Sequence, residues 1–372
     1  MNDNKQLDKK ANIYTSKVFV NEEMRRAVNE VFDSGMFVMG KKKEEFEKKF
    51  AEFIGSKYAI AISNGTTALE VTLQSLGIGK GDEVIVPSHT AFPTIEPILQ
   101  LSATPVFVDI DPKIYTIDPK AVERAVTKKT KVIMPVHLYG HPADLDPIIE
   151  ICKEKNIFLV EDACQAHNAK YKGKIVGSFG IAGCFSFYPS KNVTVCGDGG
   201  MIVTNDEEIN KKARMLLNHG QDGNYNHVIL GHNYRLSEIQ CAIGIKQLEM
   251  IEHFTKRRRE IAELYQENLK DTKLILPFEA EYARHVYHLY VIRTEADKRD
   301  KIIEGLKKEG IHCGIHYPIP CHQQEAVKHK EIKVPFLPIT EKIVKEIITL
   351  PIYPLLKDEE VKMISEKIKK LI

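Results

Sequence analysis

The sequence predicts an α/β protein: a large domain with a mostly parallel central sheet, followed by a smaller C-terminal α/β domain. Three observations predict it. Short apolar runs are nearly continuous rather than alternating, as in strands buried on both faces. Helical stretches separate most of these runs, and that alternation builds parallel sheets through crossover helices. After Leu236 the pattern changes to long, highly charged helical sequence.

The apolar runs are residues 58–63, 83–87, 105–110, 131–137, 157–160, 183–188 and 201–204. Asp118-Pro119 and Asp146-Pro147 each read as a capping residue followed by proline at the first helical position. Residues 236–270 are apolar at helical spacing, with no breaker except Gly244. They lead out of the large domain, expected over 1–250, into a small domain over 251–372. There a strand is expected around 288–293, a helix around 298–308 and a final amphipathic helix over 359–371. No internal repeat or low-complexity linker is visible.

A chain of 372 residues is long enough for two domains of roughly 100–200 residues each. Its 43% hydrophobic and 28% charged content is ordinary for a globular protein. A net charge of +2, from 53 basic and 51 acidic residues, gives no electrostatic reason to expect nucleic acid or a membrane surface. The clusters at 41–43 and 256–259 are short and flanked by Glu, as on a solvated helix face. Residues 1–10 are polar, so no signal peptide is expected, and no run reaches the roughly 18 apolar residues of a bilayer span. Seven dispersed cysteines, none in a CxxC pair, argue against disulfides or zinc and for a cytoplasmic setting. The 14 histidines show no HExxH or comparable spacing, so no metal is expected.

In an open parallel sheet, ligands bind beyond the carboxyl ends of the strands. Chemistry is therefore expected just after the apolar runs: at 63–67, 87–89, 161–162 and 186–191. Asn64-Gly65-Thr66-Thr67 lies between a strand and a helix. Glycine lets the backbone approach a ligand, and the helix offers free N–H groups and its positive dipole end. This is a phosphate cradle, although alone it reads more readily as an ordinary capped turn. Asp162 ends the run 157–161. Its carboxylate could pair with a cationic ring nitrogen and keep it protonated, or serve as a cap or ion pair. Lys191 follows the run ending Phe185-Ser186-Phe187-Tyr188. A partly buried lysine is a better amine nucleophile toward an aldehyde, whereas a solvated loop lysine needs no function. The glycines at 197, 199 and 200 allow a tight turn beside a cofactor.

The combination and order of these segments carry more than any one of them. GTTAL at 65–69, EDACQAH at 161–167, SFYPSKN at 186–192 with GDGG at 197–200, and GHNYRLSEIQCAIG at 231–244 resemble the nucleotide-sugar aminotransferases. These form the DegT/StrS group of fold-type I pyridoxal-phosphate (PLP) enzymes. FEKKFAEFIGSKYA at 46–59 and GIHYPIP at 314–320 extend the resemblance from about Val18 to the C-terminus. It implies that Lys191 holds the cofactor covalently and Asp162 binds its pyridine nitrogen. Gln165 would contact the ring or its 3-oxygen, and Ser186, Gly65 and Thr66 the phosphate. Asn233 would reach the phosphate of a partner subunit's cofactor, with Arg235 a weaker candidate, which implies a homodimer with shared sites. His316 and Tyr317 match a segment near the sugar cleft, but read equally as a loop pair packing between domains. One departure stands out: Ala91 occupies a position where relatives often place an aromatic over the ring, leaving Phe92 or His89 as substitutes.

The implied reaction moves an amino group, with glutamate the expected donor, to a keto-sugar carried on a nucleoside diphosphate, in amino-sugar and polysaccharide biosynthesis. Lys191 would serve as base and acid in the proton shift, with PLP as the electron sink. Two alternatives share the scaffold. A PLP-dependent keto-sugar dehydratase usually replaces the lysine with His, and Lys191 counts against it. A non-catalytic sensor is disfavoured by the complete set Lys191, Asp162, Gln165 and Ser186. A cyclitol ketone remains open as acceptor.

Overall fold

The computed structural model describes residues 12–328, 332 and 335–372. The polar stretch 1–10 lies outside them. Seven strands form the central sheet: β1 Tyr58–Ile62, β2 Glu83–Pro87, β3 Thr104–Val108, β4 Thr130–Ile133, β5 Phe158–Asp162, β6 Ala182–Ser186 and β7 Gly200–Thr204. Their spatial order is β1-β7-β6-β5-β4-β2-β3. The ladders β2–β3, β2–β4, β4–β5 and β5–β6 are parallel. β7 alone reverses, pairing antiparallel with both β6 and β1. No helix separates β6 from β7, and a parallel return needs a crossover of a dozen or more residues, usually helical. The sheet is thus mostly parallel, as expected, with one reversed strand.

The central strands are nearly all buried, with apolar clusters on both faces. Helices α1 Glu22–Ser34, α2 Lys41–Ile54, α3 Gly65–Ser75, α4 Glu96–Gln100, α5 Pro119–Ala125, α6 Leu145–Lys155 and α7 Glu207–Leu216 surround the sheet. Asp118 caps α5, its carboxylate accepting from Lys120 N at 3.0 Å. The second Asp-Pro pair behaves differently. α6 starts at Leu145 with Asp144 at the cap position, so Pro147 sits inside the first turn. The Tyr171 hydroxyl explains the shift, since it donates to Asp144 Oδ1 (2.8 Å) and accepts from Asp146 N (3.1 Å).

The helical stretch expected at 236–270 is two helices, α8 Glu238–Glu249 and α9 Ile251–Leu269, with Met250 leaving helical geometry between them. Ser237 and Gln240 form a capping box at the start of α8. Beyond α9 come β8 Tyr290–Arg293, α10 Ala296–Lys308, α11 Glu325–Lys328, α12 Pro338–Ile343, β9 Ile347–Leu350 and α13 Asp358–Lys369. β8 and β9 pair antiparallel, and the inner faces of α9, α10 and α13 pack with them in a separate apolar cluster. Ile13 joins that cluster and bridges to Ile311. Among the described residues no helix is long and apolar enough to cross a membrane.

Candidate active site

The carboxyl ends of β5 and β6 and the amino end of α3 meet in a cleft of about 560 Å³. Gly65, Thr66, Asp162, Gln165, Ser186 and Lys191 all line it, so six of the nine expected site residues converge. They come from three segments that the parallel order of β5 and β6 and the β1–β7 pairing bring side by side.

The floor is built first. Asn64 caps α3 by accepting from Thr67 N (2.8 Å), and Thr67 Oγ1 returns to Asn64 N (3.2 Å). The cap holds this helix end open toward the cleft, with the dipole behind it. A Cβ on Gly65 would stand 2.8 Å from Ser186 Cβ and 2.9 Å from Cys164 Sγ. Glycine therefore lets the helix end approach the end of β6, the close seat that a phosphate needs.

The wall is Asp162, buried at the end of β5. Its Oδ1 accepts from Cys164 N at 3.1 Å and its Oδ2 from the Thr94 hydroxyl at 2.8 Å. The adjacent Glu161 points to the opposite face. There it accepts from Gly177 N (2.6 Å), Phe179 N (2.6 Å), Gly180 N (2.8 Å) and His137 Nε2 (3.0 Å). Burial alone would raise its pKa, but these donors outweigh it and the net shift is downward. The clamp fixes the strand that presents Asp162.

Gln165 Oε1 accepts from Tyr139 N (2.9 Å), which turns its Nε2 toward the cleft side, where it donates to the Tyr317 hydroxyl at 3.1 Å. Lys191 lies in the return between β6 and β7. Burial lowers its amine pKa, and the nearby Asp162 carboxylate offsets part of that shift. A lysine with a depressed pKa is more often the free amine that attacks carbonyl carbon.

Asn233, His316 and Tyr317 do not line the cleft, nor does the weaker candidate Arg235. Asn233 is exposed. Arg235 is held by Asn218, its Nη1 donating to Oδ1 at 2.6 Å. Tyr317 touches Gln165, whereas His316 turns away to Thr349 Oγ1 (2.9 Å). Neither proposed ring-stacking substitute reaches the cleft. His89 is buried with Nε2 on the Tyr139 hydroxyl at 2.6 Å, and Phe92, partly buried, packs against the core. Ala91 and Pro93 form that part of the wall. Thr94 and Tyr139 went unrecognised in the sequence. Thr94 could have been sought by following the rule of strand ends a few residues past 87–89.

The residues fit a phosphorylated pyridine aldehyde: an open helix end, a buried carboxylate and a lysine of depressed pKa share one wall-and-floor arrangement. Comparison with known proteins agrees. Residues 19–369 match the DegT/DnrJ/EryC1/StrS aminotransferase family. The chain is 42% identical to the dTDP-3-amino-3,6-dideoxy-alpha-D-galactopyranose transaminase of Aneurinibacillus thermoaerophilus, covering 93% of this chain and 94% of that one. It is 38% identical to the UDP-2-acetamido-2-deoxy-3-oxo-D-glucuronate aminotransferase of Pseudomonas aeruginosa, covering 93% and 95%. The crystal structure of NtdA from Bacillus subtilis with bound cofactor PMP, the aminated form of PLP, superposes with a TM-score of 0.88. It is 32% identical, covering 94% of this chain and 81% of that one. The chain therefore belongs to the DegT/DnrJ/EryC1/StrS aminotransferase family and is a PLP-dependent aminotransferase.

Proposed function

We propose that the enzyme transfers the amino group of glutamate to carbon 3 of a keto-sugar carried on a nucleoside diphosphate. The observation that carries the reading is the convergence of Lys191, Asp162, Gln165, Ser186 and the open end of α3 on one cleft. The choice of carbon rests on the two relatives above, which differ in nucleotide but are both named for position 3.

When bound, the cofactor supplies an electron sink for the carbon that bears nitrogen. The chain's own residues do the rest. Lys191 Nζ would hold the cofactor covalently. The same Nζ would take the proton from the donor's α-carbon and give it back, as general base and then acid. The Asp162 carboxylate would pair with the pyridine nitrogen and keep it cationic. Gln165 Nε2 would donate to the cofactor's 3-oxygen. Ser186 and the N–H groups of Gly65 and Thr66 hold the phosphate.

A second copy completes the site. Asn233 stands outside its own cleft, and the exposed Met36, Phe37, Val38 and Met39, with Val228 to Leu230, form apolar surface of the kind that marks an interface.

The decisive experiment uses nitrogen-15-labelled glutamate and a panel of nucleotide-linked 3-keto and 4-keto sugars. Label at carbon 3 of the product is expected. Label at carbon 4 would correct the position, and an unlabelled deoxygenated product would overturn transamination. Borohydride reduction followed by peptide mapping should place the cofactor on Lys191, and an adduct on another lysine would remove it from this role.

A further inference from the structure

The connector between β2 and α4 delivers a hydroxyl to the residue on which the cofactor's ring charge depends. Thr94 lies 68 residues from Asp162 in sequence, yet its Oγ1 donates to Asp162 Oδ2 at 2.8 Å. Thr94 Oγ1 also lies 2.9 Å from Thr90 Oγ1. Both threonines and Asp162 are buried.

The proton order along this chain is forced. An ionised carboxylate only accepts hydrogen bonds, so the single Thr94 proton goes to Asp162. The Thr94 oxygen must then accept from Thr90, whose own proton is committed in turn. Hydrogen bonds in such a chain strengthen one another in a buried setting. The far end is anchored from a distant part of the sequence: Cys321 Sγ donates to Thr90 O at 3.3 Å, and Cys321 N donates to Ser88 O at 2.9 Å.

We propose that Thr94, backed by Thr90, is a positioning residue that holds the Asp162 carboxylate in one orientation and sustains its charge opposite the pyridine nitrogen. The inference rests on the assignment of Asp162 to that nitrogen. With Oδ1 fixed by Cys164 N and Oδ2 by Thr94, the carboxylate cannot rotate without losing a donor. Loss of the Thr94 hydroxyl leaves one carboxylate oxygen and the Thr90 proton unpaired in a buried site, which is costly.

The test compares Thr94→Val, Thr94→Ser and Asp162→Asn by the nitrogen-15 shift of ring-labelled cofactor bound to each protein, titrated with pH, alongside kcat and KM. In Thr94→Val the ring nitrogen should lose its proton at lower pH than in wild type. kcat should fall roughly ten- to a hundredfold, with KM for the keto-sugar little changed. Thr94→Ser, which restores the donor, should recover both. If Asp162→Asn moves the ring signal and Thr94→Val does not, the Thr94 proposal fails alone. If Asp162→Asn also leaves it unmoved, the Asp162 assignment fails, and this inference with it. Should Thr94→Val not fold, Thr90→Val keeps the direct bond and removes its support. A wild-type ring titration in that variant would overturn the relay.

Discussion

Burial of Lys191 disfavours its charged form, and the nearby Asp162 restores only part of the loss. The same shift that prepares the amine for chemistry weakens the cofactor-free fold. Below the folded-state pKa both folded and unfolded chains carry the charge, so the penalty is present in full. It fades as pH rises toward the ordinary value of 10.5, because the unfolded chain then binds more protons than the folded one. Cofactor-free Lys191→Met should therefore resist denaturant better than wild type at pH 7, and the gap should close as pH rises toward 10.5. Equal midpoints at neutral pH would show that the site stores no such strain. At this scale the sequence was informative where a residue type has few uses beside a strand end. Asp162, Lys191 and the Gly65 turn, which converge on one cleft, stood out in the sequence for that reason. Thr94 was not, because a hydroxyl in a Pro-flanked connector looks like any turn residue until a carboxylate 68 residues away comes to meet it.

Strands were legible as continuous apolar runs, and helices through their period and caps. The buried runs located all seven strands of the sheet to within a few residues, but apolar periodicity carries no direction, so the reversal of β7 was invisible. The break at Met250 was hidden too, since it involves neither Gly nor Pro and follows from tertiary packing. Gly244, which read as a possible breaker, has a different reason to be there. A Cβ on it would stand 2.6–3.0 Å from the Phe46 ring of α2. That ring is wedged against Phe50 and Phe187 (centroids 6.0 and 5.2 Å) and has little freedom to retreat. Alanine in place of a helical glycine gains about 1 kcal/mol in propensity, while overpacking a filled core costs about 1–3 kcal/mol. Gly244→Ala should accordingly destabilise by about 1 kcal/mol in chemical denaturation. A more stable variant would show that α2 and α8 can separate freely.

For the whole molecule, the unresolved reach of Asn233 gives a complementation test. Lys191→Ala and Asn233→Ala subunits should each be inactive, and mixed dimers should regain up to half of the wild-type activity per dimer, because one of the two sites then holds both groups. Mixed dimers that form and stay inactive would remove Asn233 from the partner's site. Overall architecture was readable because strand–helix alternation extends along most of the chain, whereas a face that meets a second copy has no periodic mark. The reversed β7 bears on how the molecule is made. Among the described residues β1 finds its only strand partner across a register joining Tyr58 to Thr204, so for nearly 150 residues of synthesis an apolar strand has no place to pair. Contacts this distant in sequence form slowly and leave unpaired edges open to aggregation in the meantime. The return that carries Lys191 is the segment whose completion ends that exposure, and a nascent chain halted before residue 200 would have neither a closed sheet edge nor a seated lysine.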